Sequence, residues 1–339
     1  MKKLDSGTVV ITGASAGLGR AIAGAFAQRG WRVALLARGT GRLLDAEAEY
    51  RRSAAAVRTF VLDVADAAAV ERAADEVAEA WGGIDVWINN AMVTVFAPFN
   101  AMSVADFRRV IEVTFLGQVN GTHAALKHMR TRNAGTIVQM NSALGFRSIP
   151  LQSAYCAAKA AVRGFTDALR CELLHERSRI RLTTVYLPAI NTPQFDWARN
   201  GLPRRVRPVP PVFQPEAIAE HVFRAALRGP RELWIGRSTL QAALGQTVGP
   251  GWLDRFMARM AWSGQMTKEQ EQASRPDNLY EPAPQPVGAH GRFDESAETS
   301  VEAYSPALVR ALLGGAAGLS LGALAWHAWS RLRAAPGEV

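Results

Sequence analysis

Tyr155 and Lys159 stand four residues apart, and Ser142 precedes the tyrosine by thirteen. Residues four apart on a helix share a face, so the lysine falls beside the tyrosine. An adjacent ammonium favours the phenolate and lowers a tyrosine from its ordinary pKa of about 10, toward the range of a general acid or base. Upstream, Thr12-Gly13-Ala14-Ser15-Ala16-Gly17-Leu18-Gly19 carries three glycines. Glycine lets a backbone turn tightly and approach a pyrophosphate closely. The free N–H groups and dipole of a following helix then favour the negative charge. Alone, the tyrosine reads as a packing residue, the lysine as a solvated charge and the glycines as an ordinary turn. Together they point to hydride chemistry on an alcohol or ketone.

These residues need elements to position them. Residues 8–11 are an apolar run of β-formers, and the apolar positions of 18–26 recur at helical spacing. Strand, glycine turn and helix is the order a nucleotide cradle requires. Further strands are expected at 32–37, 57–62, 86–89, 136–141, 182–186 and 233–235, and helices at 42–51, 67–81, 103–130, 153–176 and 215–228. Ser103 and Asp106 form a capping box for the long helix, and Pro215 opens the last one. The alternation predicts an α/β fold with a doubly wound parallel sheet and helices on both faces.

The glycine motif, Asp63-Val64 after the third strand, Asn89-Asn90-Ala91 after the fourth, Ser142 after the fifth and Tyr155-x-x-x-Lys159 together resemble the short-chain dehydrogenase/reductase family, over roughly residues 6–237. The resemblance implies a Rossmann-type catalytic domain and a likeness of roles. Tyr155 would exchange a proton with the substrate oxygen, Ser142 would polarise that oxygen, and Lys159 would also hold the nicotinamide ribose. Thr12, Gly13, Ser15, Gly17, Leu18 and Gly19 would cradle the cofactor. Asp63 would meet the adenine edge with Val64 near its ring, Asn89 and Ala91 would line the cofactor's path, and Pro188 and Thr192 would lie over the nicotinamide amide. Three positions depart from the pattern. Thr114 stands where the family carries a helix-bending asparagine that holds a relay water; its hydroxyl could do either job, so a catalytic role is carried over to it. Met92 and Ala189 replace usual glycines.

An acid at the end of the second strand would favour NAD. This chain has Leu35-Leu36-Ala37-Arg38 and no acid until Asp45. Arg38 could fork onto a 2′-phosphate, so NADP(H) is preferred, with NAD(H) admitted. The proline-rich stretch 188–215 is where the family folds over substrate. Phe195, Trp197 and Phe213 suggest a bulky apolar one. Arg199, Arg204, Arg205 and Arg207 would recognise an anion or face water or lipid.

The chain has 339 residues, 48% hydrophobic, enough for one large α/β domain plus an extension. The net charge of +9 comes with no nucleic-acid motif, so no nucleic-acid partner and no metal is expected. Cys156 and Cys171, about 22 Å apart along one helix, cannot pair. With Met1-Lys2-Lys3 running straight into the first strand, this suggests a cytoplasmic catalytic domain. A homo-oligomer is also expected.

The expected domains are 1–237 catalytic, 238–275 a helical extension that packs on the domain or lies at a membrane surface, 276–306 an irregular linker with an exposed His290, and 307–333 a hydrophobic helix. Residues 311–329 hold no Asp, Glu, Lys or Arg, and Gly314, Gly318 and Gly322 recur every four. Nineteen helical residues span about 28 Å, close to a bilayer's hydrocarbon core. The reading is a tail anchor or shallow insertion in membrane lipid; a soluble docking helix is the alternative. The functional reading is a nicotinamide-dependent oxidoreductase. An isomerase or dehydratase using the same tyrosine and lysine, and a non-catalytic nucleotide sensor, are its rivals.

Overall fold

The computed structural model describes residues 6–272, 275–285 and 288–311. The main sheet contains β1 (Thr8–Thr12), β2 (Arg32–Ala37), β3 (Ala56–Val61), β4 (Val86–Asn89), β5 (Thr136–Ser142), β6 (Arg181–Leu187) and β7 (Glu232–Ile235). They lie in the order β3-β2-β1-β4-β5-β6-β7, each neighbouring pair parallel. The strands that reach the middle of the sheet are buried on both faces, so β1 and β4 carry the apolar runs 9–11 and 86–88. The helices are α1 (Gly17–Ala27), α2 (Thr40–Tyr50), α3 (Ala67–Trp81), α4 (Val104–Ile111), α5 (Gly117–Arg132), α6 (Ser153–His175), the single turn α7 (Gln194–Trp197), α8 (Pro215–Arg228), α9 (Arg237–Val248) and α10 (Pro250–Gly264).

Helices α1, α2 and α8 close one face of the sheet around Phe26, Trp31 and Phe223, whose rings meet edge to face. Helices α3 to α6 close the other around Val70, Val77, Trp87, Val110 and Leu169. The chain runs from β1 outward to β3, then returns to place β4 on the other side of β1. That reversal opens a crevice at the carboxyl ends of the strands, where open α/β sheets bind ligands.

The expected helix 103–130 begins as read, with Ser103 Oγ accepting the Asp106 N–H at 3.0 Å, but it is not continuous. A π turn, Glu112–Leu116, separates α4 from α5, and Thr114 is at its centre. Beyond the sheet, the extension forms α9 and α10, broken at Gly249, and then an antiparallel strand Met266–Gln270 on Arg204–Val206. The chain divides into compact units Met1–Ala303 and Tyr304–Val339, so the boundaries expected at 237 and 275 fall inside the first unit. The hydrophobic stretch 311–329 lies outside the described residues apart from Ala311. Among the described residues no helix is long and apolar enough to cross a membrane, and no cluster could hold a metal.

Candidate active site

One cavity of about 580 Å³ runs along the crevice. The glycine turn enters it from the end of β1. Gly13 has φ +67°, and a Cβ there would come within 2.8 Å of the Ala91 Cα. A Cβ on Gly19 would come within 2.2 Å of the Gly13 carbonyl oxygen. Both positions thus exclude side chains, which leaves the backbone open to a ligand. Helix α1 has no side-chain cap at its N-cap residue, Ala16, and its first residues, Gly17, Leu18 and Gly19, line the crevice. The donor set fits a dinucleotide.

Ser142 ends β5, and Tyr155 and Lys159 stand on the first turns of α6; all three line the cavity. Lys159 is 3% exposed and its Nζ donates to the Met140 carbonyl at 2.7 Å, 5.6 Å from the Tyr155 ring centre. Asn141 braces the pair: its Nδ2 donates to the Lys159 carbonyl at 3.1 Å and its Oδ1 accepts the Ser142 N–H at 2.8 Å. Burial alone lowers the Lys159 ammonium to about 7. Burial likewise raises the Tyr155 phenol far above its ordinary value, against the opposing hydrogen bond from Ser142. The expectation that Lys159 would lower Tyr155 is therefore corrected in this structure. Desolvation is the largest influence on the phenol, and the same burial depresses the neighbouring ammonium.

Of the cradle residues expected from sequence, Gly13, Ser15, Gly17, Leu18, Gly19, Arg38, Asp63, Val64, Ala91, Pro188 and Thr192 line the cavity. Thr12, Asn89 and Thr114 do not. Thr12 Oγ1 instead accepts the N–H groups of Asn90 and Ala91 at 2.9 and 3.0 Å, clasping the β4 turn from behind. Asn89 is fully buried among Trp87, Thr122 and Gln139. Strand alternation puts Asn89 on the Trp87 face, and Asn90, which bonds the Thr12 and Gly13 carbonyls, is the wall residue. Thr114 is fully buried; its hydroxyl accepts the Val93 N–H at 3.0 Å and donates to the Val93 carbonyl at 2.8 Å. It fixes the loop that carries Met92 to the cavity wall.

The described residues 277–285 and 288–293 are irregular in backbone, but they are laid across the nucleotide end. Arg38 donates to the carbonyls of Asn278, Leu279 and Tyr280 at 2.5, 3.2 and 2.8 Å. Arg42 donates to the Ala283 carbonyl and stacks 5.0 Å from the Trp197 ring. Gly17 N–H donates to the Gly288 carbonyl at 3.1 Å. Asp63 pairs with Arg109, whose Nε reaches the Leu279 carbonyl at 3.1 Å. The strap is pinned outside the cavity by Tyr280, whose hydroxyl donates to Asp106 at 3.1 Å, and by Asp277, which accepts Arg199 at 2.8 Å. His290 is exposed but bridges Glu216 and Asp294.

The far walls are apolar and come partly from the extension: Leu144, Ile149, Val209, Leu253, Phe256 and Met257. Phe195 and Trp197 join them, whereas Phe213 is buried in the core. Arg199 and Arg205 are ion-paired, and Arg207 alone of the four arginines reaches the cavity wall. Sequence reasoning missed Asn90, Asn141, Arg42 and the strap.

A doubly wound parallel sheet whose switch point holds a glycine cradle and a Ser–Tyr–Lys cluster in one cavity defines a dinucleotide-dependent enzyme of alcohols and carbonyls. A family model described as short chain dehydrogenase matches residues 7–201. The uncharacterized oxidoreductase YxnA of Bacillus subtilis is 30% identical over 338 residues, covering 98% of this chain and 93% of that protein. A 3-dehydrosphinganine reductase of Danio rerio is 31% identical over 235 residues, covering 67% and 70%. A solved alcohol dehydrogenase of Thermococcus sibiricus, complexed with 5-hydroxy-NADP, has TM-score 0.56 and 29% identity over 68% of this chain and 95% of that one. The chain belongs to the short-chain dehydrogenase/reductase family. It is an NAD(P)-dependent oxidoreductase acting on CH–OH or C=O groups.

Proposed function

We propose that the chain interconverts a bulky apolar ketone and its alcohol with NADP(H), and that Tyr155 gives and takes the proton. One observation carries the reading. Ser142, Tyr155 and Lys159 share a cavity with the glycine cradle at one end and apolar walls at the other. When bound, the cofactor supplies or accepts the hydride. Ser142 hydrogen-bonds the substrate oxygen and orients it. Tyr155, kept protonated at neutral pH by burial, donates to that oxygen during reduction. Lys159 stands beside the tyrosine, its Nζ 5.6 Å from the ring centre, where it would also hold the nicotinamide ribose. Oxidation needs the phenolate, so it is favoured at alkaline pH. The preference for NADP(H) rests on Arg38 and Arg42, two guanidinium groups at the cavity's nucleotide end. The zebrafish relative, named for reducing 3-dehydrosphinganine, supports a substrate with a long apolar part. The catalytic domain works in the cytoplasm as a homo-oligomer, with 311–329 as a tail anchor or a shallow membrane insertion. That reading of 311–329 rests on the absence of Asp, Glu, Lys and Arg from the stretch.

The test is a panel of ketones and alcohols followed by cofactor absorbance. Tyr155→Phe keeps the ring and removes the transferable proton. Turnover should fall by about a hundredfold or more, with cofactor binding kept. Near-normal turnover in the variant refutes the assignment.

A further inference from the structure

Helix α10 carries a surface that the enzyme reading does not use. At about 100° per residue, Trp252, Phe256 and Met260 follow one another on one arc, and Leu253, Met257 and Ala261 extend it. Trp252, Phe256 and Met260 are 66%, 42% and 60% exposed, and the rings of Trp252 and Phe256 stack at 5.4 Å. Phe256, Leu253, Met257 and Ala261 line the cavity. An unbroken apolar surface therefore passes from the chamber wall to the outside of the molecule.

Charge on the same helix says what covers it. Asp254, its one acid, is ion-paired with Arg147 at 2.6 Å. Arg255 and Arg259 border the exposed arc on the side away from the chamber, and Arg255 bonds the Gly251 carbonyl of its own helix. Among the described residues neither forms an ion pair. Apolar side chains bordered along one edge by basic ones suit the boundary between acyl chains and anionic headgroups. A second copy of this chain would bring two more arginines against these two, which disfavours that occupant.

We propose that α10 docks on an anionic lipid surface, with Trp252, Phe256 and Met260 in the acyl boundary and Arg255 and Arg259 at the headgroups. The chamber then opens toward lipid, and an apolar ketone reaches Tyr155 without crossing water. The route rests on the function proposed above; the docking does not.

The experiment uses the full chain with Trp252→Cys in a Cys171→Ser background. Cys156 is buried, so an environment-sensitive fluorophore attaches at position 252. The protein is titrated with phosphatidylcholine vesicles, with and without phosphatidylglycerol. Docking predicts a blue shift on the anionic vesicles. Arg255→Ala with Arg259→Ala should raise the lipid concentration at half-shift roughly thirtyfold, and turnover of a short water-soluble ketone should stay unchanged. No shift, or an equal shift on neutral vesicles, overturns the proposal. So does a shift that grows with protein concentration without vesicles, which marks self-association. A normal shift in a protein inactive on every ketone leaves docking standing and sinks the function instead.

Discussion

Replacing Lys159 with methionine should stabilise the cofactor-free protein while abolishing its use. The lysine is 3% exposed, and its Nζ has one protein partner among the described residues, the Met140 carbonyl. Desolvation lowers its pKa from 10.5 to about 7. The unfolded chain therefore binds more protons through that window, and stability rises with pH across it. The penalty is full below about pH 7 and gone above about pH 10.5. At about 1.4 kcal/mol per pKa unit, it amounts to roughly 4 kcal/mol at neutral pH. The methionine loses a hydrogen bond of about 1 kcal/mol, so a net gain of roughly 3 kcal/mol is expected. Urea denaturation followed by tryptophan fluorescence measures it. Between about pH 7 and about pH 9 the parent should gain roughly 2 kcal/mol that the variant does not. Tyr155 and Cys156, both raised by burial, bias the opposite way in both proteins, so the difference isolates Lys159. The same pH slope in the two proteins, or a less stable variant at pH 7, would refute the reasoning.

Arg38→Asp should flatten or reverse a preference for NADP(H), read as the ratio of the two dissociation constants. Tyr280→Phe, which loosens the strap pin alone, should leave that ratio intact; an unchanged ratio in Arg38→Asp sinks the phosphate assignment. Thr114→Ala strips both partners from the buried Val93 backbone and should cost about 1–3 kcal/mol of stability, with Thr114→Ser restoring it; a silent alanine variant would show that the clasp is idle. Fractionation should find the full chain in carbonate-washed membranes and a chain truncated after Pro306 released from them. If carbonate-washed membranes hold neither, residues 311–329 belong to the protein's own packing.

That Ser142, Tyr155 and Lys159 would come together was legible because the grouping is local. Tyr155 and Lys159 are one helical turn apart, and Ser142 ends a strand buried along its whole length. The glycines were legible because a backbone with φ +67° leaves few other residues free to stand there. Asn89 and Asn90 are harder. Two identical residues span the end of β4, and a shift of one residue exchanges the wall for the core. Trp87 offered the missing signal, since it shares a face with Asn89 and is fully buried. The pKa of Tyr155 failed for another reason. Spacing reveals a neighbouring charge, but desolvation depends on everything that packs around the ring.

The strap shows the limit most sharply. Arg38, Arg42 and Arg109 gather near the carboxylates of Asp63 and Glu281, and Arg38 is lowered first by burial, with Asp63 opposing. Such cations need acceptors, and the sequence supplies them about 240 residues away as backbone carbonyls. A carbonyl is present at every residue and leaves no trace in composition, so residues 276–306 read as a linker from their prolines and glycines. What distinguishes the strap is its pins, Asp277 and Tyr280, and these are ordinary surface residues until Arg199 and Asp106 are placed beside them. Of the cations at the nucleotide end, Arg38 could be read from the chain; Arg42, Arg109 and their neutral partners required the fold.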